Sequence, residues 1–162
     1  MGRLALAALA AFLTDQLSKL YVMYGMGMRV GDMVEILPPL VVFKFGWNPG
    51  INFGLFSGSP DFARWVLVAL AVFISGILLW WARKAPRKPI VLIGVGLIVG
   101  GAVANALDRV VYGAVADFLN MSCCGIDNPF IFNIADIWIF AGAFALVIFD
   151  TDPKKDAGKE AS

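Results

Sequence analysis

Two acidic residues stand alone in apolar sequence. Asp117 lies in Val115-Ala116-Asp117-Phe118-Leu119, and Asp136 in Phe132-Asn133-Ile134-Ala135-Asp136-Ile137-Trp138. Neither has a basic neighbour in the chain. An isolated carboxylate in an apolar span is costly to hold and marks a functional position by default. Two carboxylates brought together cannot both ionise easily, so one keeps a proton and the other serves as a base. Such a pair activates a water and polarises a scissile carbonyl with no metal or histidine, and it titrates as a unit. A plainer account exists for one of the two. Asn133 has the position of an N-cap, and Asp136, three residues on, is the first-turn acid that a helix dipole favours. That account leaves Asp117 unexplained, at the same expected depth on the preceding span.

Two further groups of polar residues interrupt apolar runs. Asp15 and Lys19 are four apart, share one helix face and can pair. They are either a structural ion pair or a direct part of a site. Ser18 and Lys19 are adjacent and point in different directions on a helix, which disfavours a Ser-Lys catalytic pair. Asn105, Asp108 and Arg109 are three and four apart and also share a face. For Arg109 beside Asp108, an interfacial ion pair is the plain alternative.

Composition limits the remaining chemistry. The 162 residues are 60% hydrophobic and 15% charged, and mean hydropathy is +0.80. Soluble domains carry about 45–50% apolar and about 25% charged residues, so this is the balance of a small polytopic membrane protein in one domain. Histidine is absent, which removes Ser-His-Asp and Cys-His catalysis and every histidine-containing metal site. The two cysteines, Cys123 and Cys124, are adjacent and make neither a disulfide framework nor a good zinc site. A net charge of +1 gives no general attraction to nucleic acid. No cofactor and no metal is expected.

The elements that must position these groups follow from hydropathy. A membrane helix needs about 20 mostly apolar residues. Four helices are expected, at about 4–24, 62–82, 90–109 and 134–150. Gly96 and Gly100 form a small-xxx-small pattern suited to close helix packing. Lys and Arg favour the cytoplasmic side. Arg3, then Arg83, Lys84, Arg87 and Lys88, then Lys154, Lys155 and Lys159 together give an N-in, C-in topology. The first span has the look of a signal peptide, but its apolar stretch continues past Asp15 to Tyr24. Residues of about 28–60 face outward. They are β-branched and aromatic, broken by Pro38-Pro39 and by Asn48-Pro49-Gly50, which predicts short strands with a turn at 48–50. Residues 151–162 read as a polar tail.

In this order, four blocks resemble the bacterial lipoprotein signal peptidases, or signal peptidase II. They are Asp15-Gln16-Leu17-Ser18-Lys19; Asn48-Pro49-Gly50-Ile51-Asn52-Phe53; Gly100-Gly101 through Asn105, Asp108-Arg109, Gly113 and Asp117-Phe118; and Phe132-Asn133-Ile134-Ala135-Asp136. The resemblance implies an all-α inner-membrane protein with four transmembrane helices and a small outward-facing β-like cradle. It implies an aspartyl endopeptidase that removes the signal peptide from diacylglyceryl-modified prolipoproteins, cutting before the lipidated cysteine. Asp117 and Asp136 match the catalytic dyad. Asp15, Lys19, Asn48, Gly50, Asn105, Asp108, Arg109, Asn133 and Ala135 match substrate-binding or supporting positions. Membrane lipid, inhibition by globomycin-type compounds and action as a monomer are further expectations.

The chain departs from the family in one place. Ile51 and Asn52 stand where two small residues usually follow the glycine, which bears on lipobox preference and inhibitor fit. A small transporter or proton pathway using Asp117 and Asp136 is the rival reading, since intramembrane acids and Gly-rich helices also mark such proteins. A structural protein whose acids are only caps and ion pairs is the second. A rhomboid-like serine protease lacks a histidine to activate its serine.

Overall fold

A computed structural model describes residues 1–50, 60–122 and 128–150. Its elements in chain order are α1 (Gly2–Leu20), β1 (Met33–Leu37), β2 (Val41–Asn48), α2 (Pro60–Lys84), α3 (Pro89–Tyr112), β3 (Val115–Met121) and α4 (Ile134–Phe149). The protein is mostly helical, with one small antiparallel sheet.

Helix α3 is the centre of the helical layer, and its glycines explain why. On one side, a Cβ at Gly96 or Gly100 would collide with the α1 carbonyls of Leu4 and Ala8 respectively. On the other, a Cβ at Gly101 would lie 2.6 Å from the Ala135 carbonyl oxygen, and Gly94 and Gly142 face each other's backbones. The two glycine sets let α1 and α4 approach α3 at backbone distance. The helix begins with Pro89, whose missing N–H costs nothing in the first turn. It ends at Gly113, whose φ of 84° gives the left-handed cap, with its N–H donating to the Arg109 carbonyl at 3.1 Å.

Among the described residues, α2 and α3 are long and apolar enough to cross a membrane, while α4 is a shorter apolar helix of 16 residues. Helical backbone covers the expected first helix at 4–24, in two parts. Regular α-structure stops at Leu20, and a π-helical turn occupies Tyr21–Gly25, closed by Met26 N–H donating to Tyr21 O at 2.8 Å. The third expected helix, 90–109, runs on to Tyr112.

The sheet order is β1-β2-β3, antiparallel throughout. Between β1 and β2 the chain reverses at residues 38–40, and β2 ends at Asn48, where the Asn-Pro-Gly signal begins. Strand β2 runs straight through to Asn48 because Asn48, Trp47 and Gly46 pair with Val115, Ala116 and Asp117 of β3. Asp117 is therefore on a strand and not on the preceding span. Strand β3 is buried from Val115 to Asn120. Its inner packing comprises Val22, Met28, Phe45, Ala116, Phe118 and Leu119, with Phe43 edge-on to Phe118 at 5.2 Å. Strand β1, by contrast, is exposed along its whole length. Cys123, Cys124, Ile51, Asn52 and the tail 151–162 lie outside the described residues.

Candidate active site

The site forms where the end of α3, strand β3 and the start of α4 meet. Strand β3 delivers Asp117. Register places Gly46 opposite Asp117, so Asn48, two residues along, projects to the same face. Its Nδ2 donates to Asp117 Oδ2 at 2.9 Å. Its Oδ1 accepts the Gly50 N–H at 2.9 Å. That second bond decides which end of the amide faces the carboxylate. Gly50 has a φ of 101°, a left-handed conformation that suits glycine. A Cβ there would collide with Leu67 of α2 and lie 3.9 Å from an Arg109 guanidinium nitrogen.

Asp136 is delivered by the first turn of α4. The segment before it is held to β3: Phe118 and Leu119 N–H donate to Phe132 O at 3.0 and 2.8 Å, and Phe132 N–H donates to Leu119 O at 2.9 Å. The next residue, Asn133, begins a capping box. Its Oδ1 accepts the Asp136 N–H at 3.0 Å, and Asp136 Oδ2 accepts the Asn133 N–H at 3.2 Å. With its oxygen occupied, the Asn133 amide turns its Nδ2 to Asp117 Oδ1, 2.6 Å away. One side chain thus bonds the Asp117 carboxylate and the backbone of Asp136. Asn133 therefore caps α4 and touches Asp117 with the same side chain.

A third asparagine completes the set. Asn105 Nδ2 donates to Asp136 Oδ1 at 3.0 Å, while its Oδ1 accepts from Lys19 Nζ at 3.0 Å. Lys19 is paired with Asp15 at 2.7 Å and with Asp108 at 2.6 Å. Asp108 therefore pairs with Lys19 and not with its neighbour Arg109. Arg109 Nη1 donates to the Asn105 carbonyl at 3.1 Å, and its buried Nε has no hydrogen-bond partner among the described residues. Asp15 Oδ1 accepts the Ala135 N–H at 2.8 Å, which is the contact that Ala135 makes. All the residues expected at the site are thus brought together, Gly50 at its edge.

Two polar residues of this network were not among the expected site positions. Gln16 Nε2 donates to Asp108 Oδ1 at 2.9 Å and to Asp15 Oδ2 at 3.2 Å. Its place beside Asp15 in an apolar run was the available signal. Asn120 Nδ2 donates to the carbonyls of Asn128 and Phe130 at 2.7 and 2.8 Å, which steers the chain back toward Asn133. Like Asp117, it is a polar residue inside an apolar strand.

The two acids differ in surroundings. Asp117 is 1% exposed. Burial pushes its carboxyl up to about 6, with the nearby Asp136 adding to the rise, while the Asn48 and Asn133 hydrogen bonds oppose it. Asp136 is less buried and borders an apolar groove of about 610 Å³, lined with Met121, Phe132, Ile137, Phe140, Ala141 and Phe144. The arrangement offers a buried carboxyl of raised proton affinity, a second carboxyl and an apolar seat beside them, which is equipment suited to hydrolysing an amide in a greasy substrate.

Similarity to known proteins converges on the same chemistry. Residues 7–151 match the family Signal peptidase (SPase) II. A lipoprotein signal peptidase of Rhodopseudomonas palustris (strain ATCC BAA-98 / CGA009) is 40% identical over 146 residues, covering 88% of this chain and 87% of the relative. One of Caulobacter vibrioides is 39% identical over 148 residues, covering 91% and 84%. One of Beijerinckia indica is 37% identical over 161 residues, covering 98% and 94%. Two solved structures, of a bacterial membrane enzyme by the in meso method at 2.3 and 1.9 Å, superpose with TM-scores of 0.76 and 0.78 at 28% identity. Each covers 91% of this chain, with 87% and 92% of the solved chain matched. With the family match spanning nearly the whole chain and the acids, asparagines and buried cation gathered at one point, the chain belongs to the signal peptidase II family.

Proposed function

We propose that this membrane protease removes signal peptides from prolipoproteins by direct attack of water, with Asp117 and Asp136 as its catalytic pair. The observation that carries the reading is the placing of Asn133, which bonds the carboxylate of one acid and caps the backbone of the other. Asp136, on the open groove, is the base. It takes a proton from water as the oxygen attacks the scissile carbonyl carbon. Asp117, buried and protonated, gives its proton to the carbonyl oxygen. The tetrahedral intermediate collapses as Asp136 passes its proton to the amide nitrogen, the C–N bond breaks, and Asp117 takes a hydroxyl proton back as the new carboxyl forms, so the pair again holds one proton. Arg109, with a guanidinium nitrogen unpartnered, is placed to hold a substrate carbonyl.

The substrate is a diacylglyceryl-modified prolipoprotein, cut before the lipidated cysteine. The near-absence of polar surface in the groove beside Asp136 supports an acylated substrate, since apolar pockets favour apolar ligands. Globomycin-type inhibitors would occupy the same groove. Action as a monomer belongs to the same reading.

The enzyme sits in the bacterial inner membrane as one domain with four spans, N-in and C-in. The basic loop 83–88 supports this orientation through the positive-inside rule. From Pro89 to Asp108, at about 1.5 Å per residue, α3 rises by about the thickness of the hydrocarbon core. The site therefore lies a membrane's width from that loop, at the outer face. The β-strands of the 28–60 segment cover it there.

The test is turnover of a diacylated prolipopeptide by purified Asp117→Asn and Asp136→Asn proteins. Loss of cleavage in both, with wild-type unfolding behaviour, is expected. Near-normal turnover in either folded variant overturns the assignment.

A further inference from the structure

The buried cation Lys19 touches neither Asp117 nor Asp136, yet its contacts end one residue short of each. Its ammonium has three protons, and three acceptors surround it: Asp15 Oδ2 at 2.7 Å, Asp108 Oδ2 at 2.6 Å and Asn105 Oδ1 at 3.0 Å. Both carboxylates also hold a backbone amide. Asp15 Oδ1 accepts the N–H of Ala135, immediately before Asp136, at 2.8 Å. Asp108 Oδ2 accepts the N–H of Ala116, immediately before Asp117, at 3.3 Å. Gln16 Nε2 braces the far oxygen of Asp108 at 2.9 Å. Lys19, Asp15 and Asp108 are 1%, 0% and 1% exposed, so no water competes for these bonds and the ionic contacts act at full strength.

From this geometry we infer that Lys19 is a positioning residue that sets the separation of Asp117 and Asp136, acting as a strut through Asp15 to Ala135 and through Asp108 to Ala116. This rests on the dyad reading above and extends it. The strut runs from the backbone before one acid, through carboxylate, ammonium and carboxylate, to the backbone before the other. Its third contact fixes the Asn105 amide, so that Nδ2 can only face Asp136 Oδ1. Spacing matters because the interaction between the two carboxyls is what splits their protonation into an acid and a base.

The pH profile separates this role from simple charge balance. The charged groups around the pair are Lys19 and Asp15 on α1, Asp108 and Arg109 on α3, and the two acids themselves. Removing the Lys19 charge alone raises both apparent pKa values together and moves the whole bell of kcat/KM to higher pH. Loosening the pair weakens its coupling, so the lower value rises, the upper falls and the bell narrows.

Two variants keep the test readable if Lys19→Met fails to fold. Asp108→Asn leaves the Lys19–Asp15 pair intact and balanced, but its amide cannot accept from both Lys19 and Ala116 at the former strength. The triple variant Asp15→Asn, Lys19→Met, Asp108→Asn has no buried charge to compensate and no strut. Turnover of a diacylated prolipopeptide, its pH profile and thermal unfolding are measured for both. The expected result is a kcat lower by at least tenfold with KM within about threefold and a narrowed bell. Wild-type kcat and bell width in either folded variant would overturn the strut. A narrowed bell cannot arise if Asp117 and Asp136 are not the reacting pair. Failure of that reading shows instead as retained activity in Asp117→Asn or Asp136→Asn.

Discussion

Two clusters of carboxylates lie side by side in this protein and are treated in opposite ways. In the first, Asp15 and Asp108 share a lysine ammonium at 2.7 and 2.6 Å. In the second, Asp117 and Asp136 receive, among the described residues, asparagine amides and one backbone N–H, at 2.6 to 3.2 Å. A carboxylate against a buried cation is tied into an ion pair that fixes its place. A carboxylate held by neutral donors keeps its geometry but not its charge state. Hydrogen bonds fix where Asp117 is, while burial pushes its carboxyl up to about 6. The difference teaches that in a membrane enzyme without histidine, position and proton affinity are set by separate groups.

The sharpest way to break the comparison is to neutralise one acid from each cluster. Asp117→Asn and Asp136→Asn are expected to lower kcat by at least about 10³-fold with a smaller loss of stability than in the first cluster, because the shape remains, no charge is left unpaired and the amide oxygen keeps one of the two acceptor contacts. Asp15→Asn removes one partner of a buried ion network, a change that costs about 3–5 kcal/mol, and is expected to lower the unfolding temperature first. Turnover and thermal unfolding of the purified proteins in detergent read both effects. Equal behaviour of the two clusters would dissolve the distinction between them.

A middle-sized effect is expected at the residue that belongs to both an element and the site. Asn133→Ala loses the α4 cap, worth about 1 kcal/mol, and the bond to Asp117 together. An activity loss of about 10²-fold, larger than the stability change explains, is expected from kinetics on the folded variant. Asn133→Ser, which keeps a capping oxygen and loses the reach to Asp117, should recover the stability and not the rate.

The last effect is a slope that leaves the rate at a fixed pH untouched. The Asp117 carboxyl binds its proton more tightly in the folded protein, at about 6 against 3.8. Its contribution to stability is thus fully present below pH 3.8 and is lost as pH rises through about 6, by about 3 kcal/mol in all. The unfolding temperature of the wild type should fall over that window relative to Asp117→Asn, which has no such proton to lose. Parallel curves for the two proteins would mean that Asp117 is not held protonated.

Much of the site was legible because burial of polar residues is costly enough to leave a mark. Asp117, Asp136, Asn105 and the Asp15–Lys19 spacing all stand out against apolar neighbours, and Gly96 and Gly100 announced a close helix contact that packs on α1. Other features left no local mark. Strand β3 is buried on both faces, so Val115–Met121 carries no alternation that separates it from the end of a helix. The pairing of Asn48 with Val115, which carries β2 up to the Asn-Pro-Gly signal, joins residues far apart in the sequence. The partnership of Lys19 with Asp108 joins residues on different helices, and nothing near either one announces it. Helix α1 ends at Leu20, though the apolar run continues to Tyr24, because a π-helical turn takes over.

The central claim is that Asp117 and Asp136 act as one unit. Groups acting as a unit give losses that do not multiply. Cleavage of a diacylated prolipopeptide by Asp117→Asn, Asp136→Asn and the double variant, measured side by side, tests it directly. A double variant no slower than either single is the expected result. A double variant whose loss is the product of the two single losses would show two independent residues, and would contradict the account.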